Sequence, residues 1–427
     1  MKTEDYKGVL ATLKSIINGT EFEGHVYSVG GCERDYIAGR VIKDIDLVVD
    51  LPDGGIKLSK WLETNGHTVG TVVVYEHFGT TMFRLKEYPD IELEAVQTRK
   101  EAYHDMESRN PETAYGTIMD DCTRRDFTYN AIYRNISTEE VCDFNGSSLK
   151  DLNSNILKCC GEPDIIFKED SLRILRAVRF YSRYNSIIDR DTYLGMVNNV
   201  HRLSIISKER IQDEFVKILQ SEHVVEGVEL LFTINAMKFI FSGAELMDCF
   251  KKKMVLESIR CIKNSGHASV ASYIAAILYF DVKFPYNELR DLKFSNDVTQ
   301  EVLFILEKVK KLLDEKNIML PKNIRKLEYE CKSFVRFYEV LQVYSAVTLD
   351  KQVFIHLVGV ARRHVNRGNS LFAYKLPVNG DDIMTVLGIE AGPTVKEAQN
   401  FLLKKIYRKP TMTRDECITE LTKHFRK

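Results

Sequence analysis

The feature that most restricts what this chain can fold into is a change of apolar period near residue 150. Between about residues 24 and 150, short β-like runs alternate with Gly-rich turns: His25–Val29, Ile45–Val49, Thr71–Tyr75, Thr81–Leu85, Ile91–Val96 and Tyr129–Arg134. Alternation at period two is the signature of a strand with one buried face. From Lys168 to about Lys427 apolar residues recur at three and four, as in Leu172, Leu175 and Val178, or Val302, Ile305, Leu306 and Val309. That spacing puts one stripe of a helix into a core. The expected class is therefore α+β: an N-terminal α/β head on a long all-helical body. A chain of 427 residues exceeds a single core, so several domains are expected. Pattern breaks place their boundaries near 150, 225 and 345.

Composition enters mainly by exclusion. No run approaches the length of a membrane span, and the start, Met1-Lys2-Thr3-Glu4-Asp5, lacks an apolar signal core. The nine cysteines are scattered without metal-ligand spacing, so neither a zinc knuckle nor a disulfide scaffold is expected and a reduced, cytoplasmic setting fits. Net charge is −1, but its distribution matters more than its sum. The last stretch carries Lys396, Lys404, Lys405, Arg408, Lys409, Arg414, Lys423, Arg426 and Lys427 against Glu397, Asp415, Glu416 and Glu420. Arg362, Arg363 and Arg367 lie just upstream. A basic surface of this kind suits a polyanionic partner.

Three motifs carry chemistry. Val29-Gly30-Gly31-Cys32-Glu33-Arg34-Asp35 reads as a strand ending on two glycines, where backbone N–H groups can approach phosphate oxygens with no Cβ in the way. It is followed by Lys43-Asp44-Ile45-Asp46-Leu47. Side chains alternate on a strand, so Asp44 and Asp46 share a face about 7 Å apart while Ile45 and Leu47 enter the core. Two carboxylates so placed repel unless a cation joins them, and hard oxygen ligands with substrate phosphates suit Mg²⁺. A two-metal site needs a further carboxylate; Ile91-Glu92-Leu93-Glu94 offers two, and spacing does not choose between Glu92 and Glu94. In the second motif, Arg124-Arg125-Asp126-Phe127-Thr128-Tyr129-Asn130, the arginines suit phosphates, and Asp126 and Asn130 suit sugar hydroxyls. In the third, Glu169-Asp170-Ser171-Leu172-Arg173 through Phe180, the spacing predicts one helix. On it Asp170, Arg173, Arg176 and Arg179 form a slanting polar stripe opposite Leu172, Leu175 and Val178.

In this order the motifs resemble the tRNA nucleotidyltransferase and bacterial poly(A) polymerase family, within the polymerase-β-like nucleotidyltransferases. The resemblance rests on Gly-Gly-x-x-Arg-Asp, Asp-x-Asp, Arg-Arg-Asp-Phe-Thr-x-Asn-Ala and Glu-Asp-x-Leu-Arg-x-x-Arg-Ala-x-Arg-Phe. It continues through Ser207-Lys208-Glu209-Arg210-Ile211 and, more weakly, Gly380-Asp381-Asp382. It implies a polymerase-β-like head at 1–150 and an all-helical neck, body and tail at 151–225, 226–345 and 346–427, the tail binding tRNA. It implies addition of CMP and AMP from CTP and ATP to the tRNA 3′ end. Asp44 and Asp46 would hold two Mg²⁺ ions, and Glu94, placed before Arg99 as the family pattern has it, would be the third catalytic carboxylate. Gly30, Gly31 and Arg34 would bind the triphosphate, and Arg124, Arg125, Asp126 and Asn130 the phosphates and ribose. Asp170 and Arg173 would pair with the base, with Arg176 and Arg179 beside them.

Two departures stand out. Glu33 occupies a position the family fills with an apolar residue; an outward rotamer is the expected accommodation. Many relatives carry a His-Asp phosphohydrolase site in the body, whereas Ala275-Ala276-Ile277-Leu278-Tyr279-Phe280-Asp281 has Tyr279 and Phe280 at the needed places; the dipeptide His104-Asp105 lies in the head. The turn His77-Phe78-Gly79-Thr80 and the long Arg99–Arg124 interval favour full CCA addition. Poly(A) polymerase, partial CC- or A-addition, and a silent RNA-binding protein on the same fold are the alternatives.

Overall fold

The computed structural model describes residues 1–76, 79–102, 112–280, 284–315 and 317–425. His77, Phe78, His104, Asp105, Asp281, Arg426 and Lys427, named above, lie outside the described residues. The chain forms two compact units, Met1–Ile240 and Phe241–Lys427.

In the first unit the strands up to residue 150 are β1 (Val26–Val29), β2 (Ile45–Val49), β3 (Val73–Tyr75), β4 (Thr80–Phe83), β5 (Leu93–Gln97), β6 (Arg99–Ala102), β7 (Glu112–Tyr115), β8 (Tyr133–Asn135) and β9 (Val141–Cys142); two short strands, Ile156–Leu157 and Ile187–Ile188, pair in parallel beyond them. Seven of them make one mixed sheet ordered β3-β4-β5-β2-β1-β8-β9, while β6 and β7 pair as a separate hairpin. Strands β2 and β5 are parallel, with Asp46 opposite Glu94. The helices that frame the sheet are α1 (Thr3–Ile17), α2 (Gly31–Ile37), α3 (Gly54–Thr64) and α4 (Ile118–Thr123).

Both faces of β2 are covered, which fixes its register. Helix α1 buries Tyr6, Val9, Leu10, Leu13 and Ile17, a three-and-four spacing, in a core with Ile45, Leu47 and Val49. Val48 faces the other way, into a smaller cluster with Val29, Cys122, Ala131 and Tyr133. A one-residue slip of β2 would expose the first set and bury Asp46 on the wrong face. Helix α3 lies directly on β5: a Cβ at Gly55 would stand 2.7 Å from the carbonyl oxygen of Ala95.

Two expectations need correction. The run Tyr129–Arg134 is not one strand; a 3₁₀ turn over Thr128–Asn130 precedes β8. Its cause is local: the Asp126 carboxylate accepts from the Phe127 amide at 2.8 Å and from Asn130 Nδ2 at 3.0 Å, an alternative to ladder pairing. Nor does one helix run through Asp170. After α5 (Ser148–Asn153), helix α6 (Pro163–Glu169) ends at Asp170, whose backbone is extended at φ −140° and ψ 100°. Helix α7 (Leu172–Tyr184) then begins, and Asp170 Oδ1 accepts from the Leu172 amide at 3.1 Å. The aspartate side chain satisfies a first-turn donor and so starts a new helix. Helices α8 (Arg190–Asn199) and α9 (Lys208–Leu219) complete the packing around α6 and α7.

The second unit is all helical among its described residues. Its members include Cys249–Asn264, Val270–Tyr279, Asn296–Asp314, Pro321–Cys331, Phe334–Thr348 and Lys351–Asn366. Ala275, Ala276 and Ile277 are fully buried. Gly380–Leu387, Pro393–Ile406 and Arg414–Phe425 share a core of their own around Ile383, Leu402 and Leu421. Among the described residues no helix is long and apolar enough to cross a membrane.

Candidate active site

The sheet delivers three carboxylates to one place. Ile45 and Leu47 are buried and Asp46, between them, is half-buried, while Asp44 is exposed one residue before β2 begins. Glu94 stands beside Asp46 across the β2–β5 pair. Burial, together with the neighbouring Glu94 and Asp44, pushes the Asp46 carboxyl up to about 6, against the opposing pull of Arg125 and Arg34. Glu94 is also raised, by burial and then by Asp44. Glu92 precedes β5 and is held in an ion pair with Arg84 at 2.7 Å.

Crowded carboxylates that raise one another's pKa store repulsion that a cation would relieve. The donor set is oxygen only, as a hard divalent ion prefers. Among the described residues no three Asp, Glu, His or Cys side chains converge closely enough to cage an ion unaided.

A cleft of about 930 Å³ opens from Asp44 and Asp46 and takes in Gly30, Gly31, Arg34, Arg125, Asp126, Asn130, Arg176 and Arg179. Gly30 lies at φ +82°, and a Cβ there would approach Asp46 Oδ2 to 3.4 Å, so the glycine keeps backbone open beside the carboxylate. A buried polar chain lines the wall. Arg34 donates to both oxygens of Asp35 at 2.9 and 2.8 Å and to Asn130 Oδ1 at 2.6 Å. Asp126 accepts from Arg176 at 2.9 and 2.6 Å. Burial alone would raise the Asp126 carboxyl, but Arg176 and the Asn130 hydrogen bond outweigh it and hold it well below the usual carboxylate range. Arg125 donates to Asp121 at 3.0 Å and to the Tyr133 hydroxyl at 2.9 Å.

Arg124, Asp170, Arg173 and Glu94 do not line this cleft. Arg124 is paired with Asp121. Arg173 donates to the carbonyl of Arg124 at 2.8 Å, to that of Ile166 at 3.2 Å and to Glu169 at 3.0 Å. Asp170 is paired with Arg210 at 2.8 Å, and Arg179 with Glu214 at 2.7 Å. Glu94 borders a second cleft of about 500 Å³, which shares Asp44 and Asp46 with the first.

Glu33 is not turned outward. It is fully buried and does not line the cleft, accepting from the Tyr6 and Ser28 hydroxyls and from Arg134 at 3.1 Å. The large cleft also contains Phe180, the last residue of the third motif, and Arg40, Arg183 and Tyr184, which the motif reading passed over. Extending the polar stripe of α7 by one more turn, from Arg179 and Phe180 to Arg183 and Tyr184, would have found two of them.

Residues 26–158 match the poly A polymerase head domain, and residues 187–247 match the probable RNA and SrmB-binding site of polymerase A. The CCA-adding enzyme of Lactiplantibacillus plantarum is 31% identical over 248 residues, 57% of either chain. That of Anoxybacillus flavithermus is 28% identical over 386 residues, 90% of this chain and 89% of the relative. Among solved structures, the Bacillus stearothermophilus CCA-adding enzyme in complex with CTP superposes with a TM-score of 0.77 at 23% identity, covering 100% of this chain and 98% of that one. The Thermotoga maritima CCA-adding enzyme complexed with tRNA gives 0.72 at 19%, covering 97% and 94%. The likeness of these two structures is one of fold.

Proposed function

We propose, from the premise that this chain belongs to the tRNA nucleotidyltransferase and bacterial poly(A) polymerase family, that it adds CMP and AMP from CTP and ATP to the 3′ end of tRNA without a nucleic-acid template. The observation that carries the reading is the group of carboxylates Asp44, Asp46 and Glu94, of which Asp44 and Asp46 also line a cleft walled by guanidinium groups. Enzymes of this family work with a divalent metal; here we assign two Mg²⁺ ions, held by Asp44 and Asp46. When bound, such ions neutralise phosphate charge and favour the hydroxyl as a nucleophile.

The chain's own groups do the rest. Gly30 and Gly31 admit the triphosphate against bare backbone. Arg34 and Arg125 face it with charges that Asp35 and Asp121 hold in place. Asp126 and Asn130 tie Arg176 and Arg34 together at the sugar end. Asp170 and Arg173 read the base: Arg173 spends three of its five N–H donors on fixed partners, and Asp170 exchanges Arg210 for the base's amino group. In this reading residues 1–150 are the catalytic head, 151–225 the base-reading neck, 226–345 the body and 346–427 the tRNA-binding tail, and the enzyme works in the cytoplasm.

The test uses purified protein, Mg²⁺ and tRNA lacking CCA, with labelled CTP and ATP supplied singly and together. Two additions with CTP alone and a third only when ATP is also present are expected. A long homopolymer from ATP alone would assign poly(A) synthesis, and no incorporation would leave an RNA-binding protein.

A further inference from the structure

We propose that the part of the large cleft built by Arg40, Arg183 and Tyr184 is a seat for a diphosphate: the β- and γ-phosphates of the bound nucleotide and then the pyrophosphate they become. The assignment rests on the transfer reaction proposed above.

Most cations along the cleft are already matched by a carboxylate. Arg34 is bidentate to Asp35, Arg176 binds Asp126, Arg179 binds Glu214 and Lys217 binds Asp213. Arg183 forms no ion pair among the described residues, and Arg40 reaches only Asp35, at 3.9 Å. Both Asp35 oxygens are by then bonded to Arg34. Two guanidinium charges in one cleft are thus left over, and a fork of N–H donors fits phosphate oxygens.

A tyrosine keeps these charges together. The guanidinium carbons of Arg40, Arg183 and Arg34 lie 4.1, 5.0 and 5.1 Å from the centre of the Tyr184 ring. The ring stacks on Phe180 at 6.0 Å and 12°, and its hydroxyl donates to Asp35 at 3.3 Å. Cation–π attraction offsets part of the repulsion among three like charges without consuming their N–H donors.

The direction of the reaction gives the seat its occupant. The RNA O3′–Pα bond forms as the bond from Pα to the bridging oxygen of the β-phosphate breaks. The electron pair leaves with pyrophosphate and the hydroxyl proton passes to water. Entering and leaving oxygens stand on opposite sides of phosphorus. Asp44 and Asp46 border both clefts, and the smaller one adds Asp5, Asp90, Glu92 and Glu94. That acidic side repels a polyphosphate, so the leaving group belongs in the cationic one.

The experiment is calorimetric titration of the full chain, without RNA, with inorganic pyrophosphate in the presence of Mg²⁺, for wild type, Arg183→Gln and Tyr184→Leu, each checked for wild-type melting. Pyrophosphate inhibition of transfer and tRNA affinity are measured alongside. Each variant should bind pyrophosphate at least about tenfold more weakly, the scale of one charge-assisted contact. KM for CTP and ATP should rise by the same factor, because both carry the same diphosphate, with tRNA affinity unchanged. Variants that bind pyrophosphate as wild type does, or that lose tRNA affinity instead, overturn the proposal. So does a wild type that fails to bind it. Binding that obeys this pattern in a chain that transfers no nucleotide would leave the seat standing and remove the transfer reading.

Discussion

A carboxylate four residues after a strand end would ordinarily repel a phosphate ligand, and Glu33 shows how a buried network removes that conflict. Its oxygens are shared by Tyr6, Ser28 and Arg134, so Glu33 ties α1, β1, α2 and β8 together. Glu33→Gln should lower the urea-unfolding free energy by about 1–3 kcal/mol, the cost of leaving Arg134 without its charge partner. Nucleotide KM should stay near wild type; a raised KM with unchanged stability would return Glu33 to the phosphate site. The carboxylates at the cleft make the opposite forecast. Asp44→Ala and Asp46→Ala should each cut kcat by well over tenfold, more than ~1.4 kcal/mol of barrier, without a loss of folding. Between the two glutamates, Glu94→Ala should cripple turnover and Glu92→Ala should cost little, because Glu94 faces Asp46 and Glu92 is spent on Arg84. The reverse order would mean that the ion pair, and not the strand register, marks the reactive carboxylate.

Elements decide what those residues can reach. Because the helix breaks at Asp170, the carboxylate caps α7 with one oxygen and meets Arg210 with the other. A CTP or ATP base offers an amino donor beside a ring-nitrogen acceptor, which Asp170 and Arg173 match, whereas UTP and GTP reverse that polarity. Asp170→Ala and Arg173→Ala should therefore relax the kcat/KM discrimination against UTP and GTP, each mispaired polar group being worth about 1–3 kcal/mol. Loss of rate with unchanged ratios among the four nucleotides would make this turn a strut. Helix α4 supplies a pH forecast. Asp121 is fully buried; burial raises its pKa, but Arg125 and Arg124 override this and bring it down to about 2. A folded pKa below the unfolded one adds stability above about pH 4 that fades as pH falls toward 2, in total roughly 2 kcal/mol. Asp121→Asn should flatten that acid limb in urea midpoints taken from pH 5 to 2. Much of this element-scale picture was readable beforehand, since period two and period three-to-four report which faces are buried. The helix break and the 3₁₀ turn were not, because both follow from an aspartate bonding to nearby backbone or amide groups, and period does not register that. Tyr184 was missed for a related reason: its value lies in three arginines that gather only on folding.

At the scale of the whole molecule, a net charge of −1 conceals where the positive charge is free to act. In the last three helices several basic residues are already matched internally: Lys405 with Glu420, Lys409 with Glu416 and Arg414 with Asp382. Lys396, Lys404 and Arg408 are exposed and form no ion pair among the described residues. These three, with Lys423, which is likewise exposed and in no ion pair among the described residues, are the phosphate contacts to expect of a tail that binds tRNA. Each phosphate contact releases counterions, so the logarithm of affinity falls with the logarithm of salt at about 0.7–0.9 per contact. A triple Lys396→Ala, Lys404→Ala, Arg408→Ala variant should weaken tRNA binding at low salt and flatten that slope by roughly two. None of the three side chains belongs to the tail's buried core of Ile383, Leu402 and Leu421, so folding should survive. CTP binding should not change, because the nucleotide cleft is made entirely by residues of the first unit. The measurement is fluorescence anisotropy of labelled tRNA across a KCl series, with CTP titrated in parallel. A slope equal to wild type would move the docking surface elsewhere, with the upstream Arg362, Arg363 and Arg367 next in line. A parallel loss of CTP affinity would show instead that the tail supports the nucleotide cleft itself.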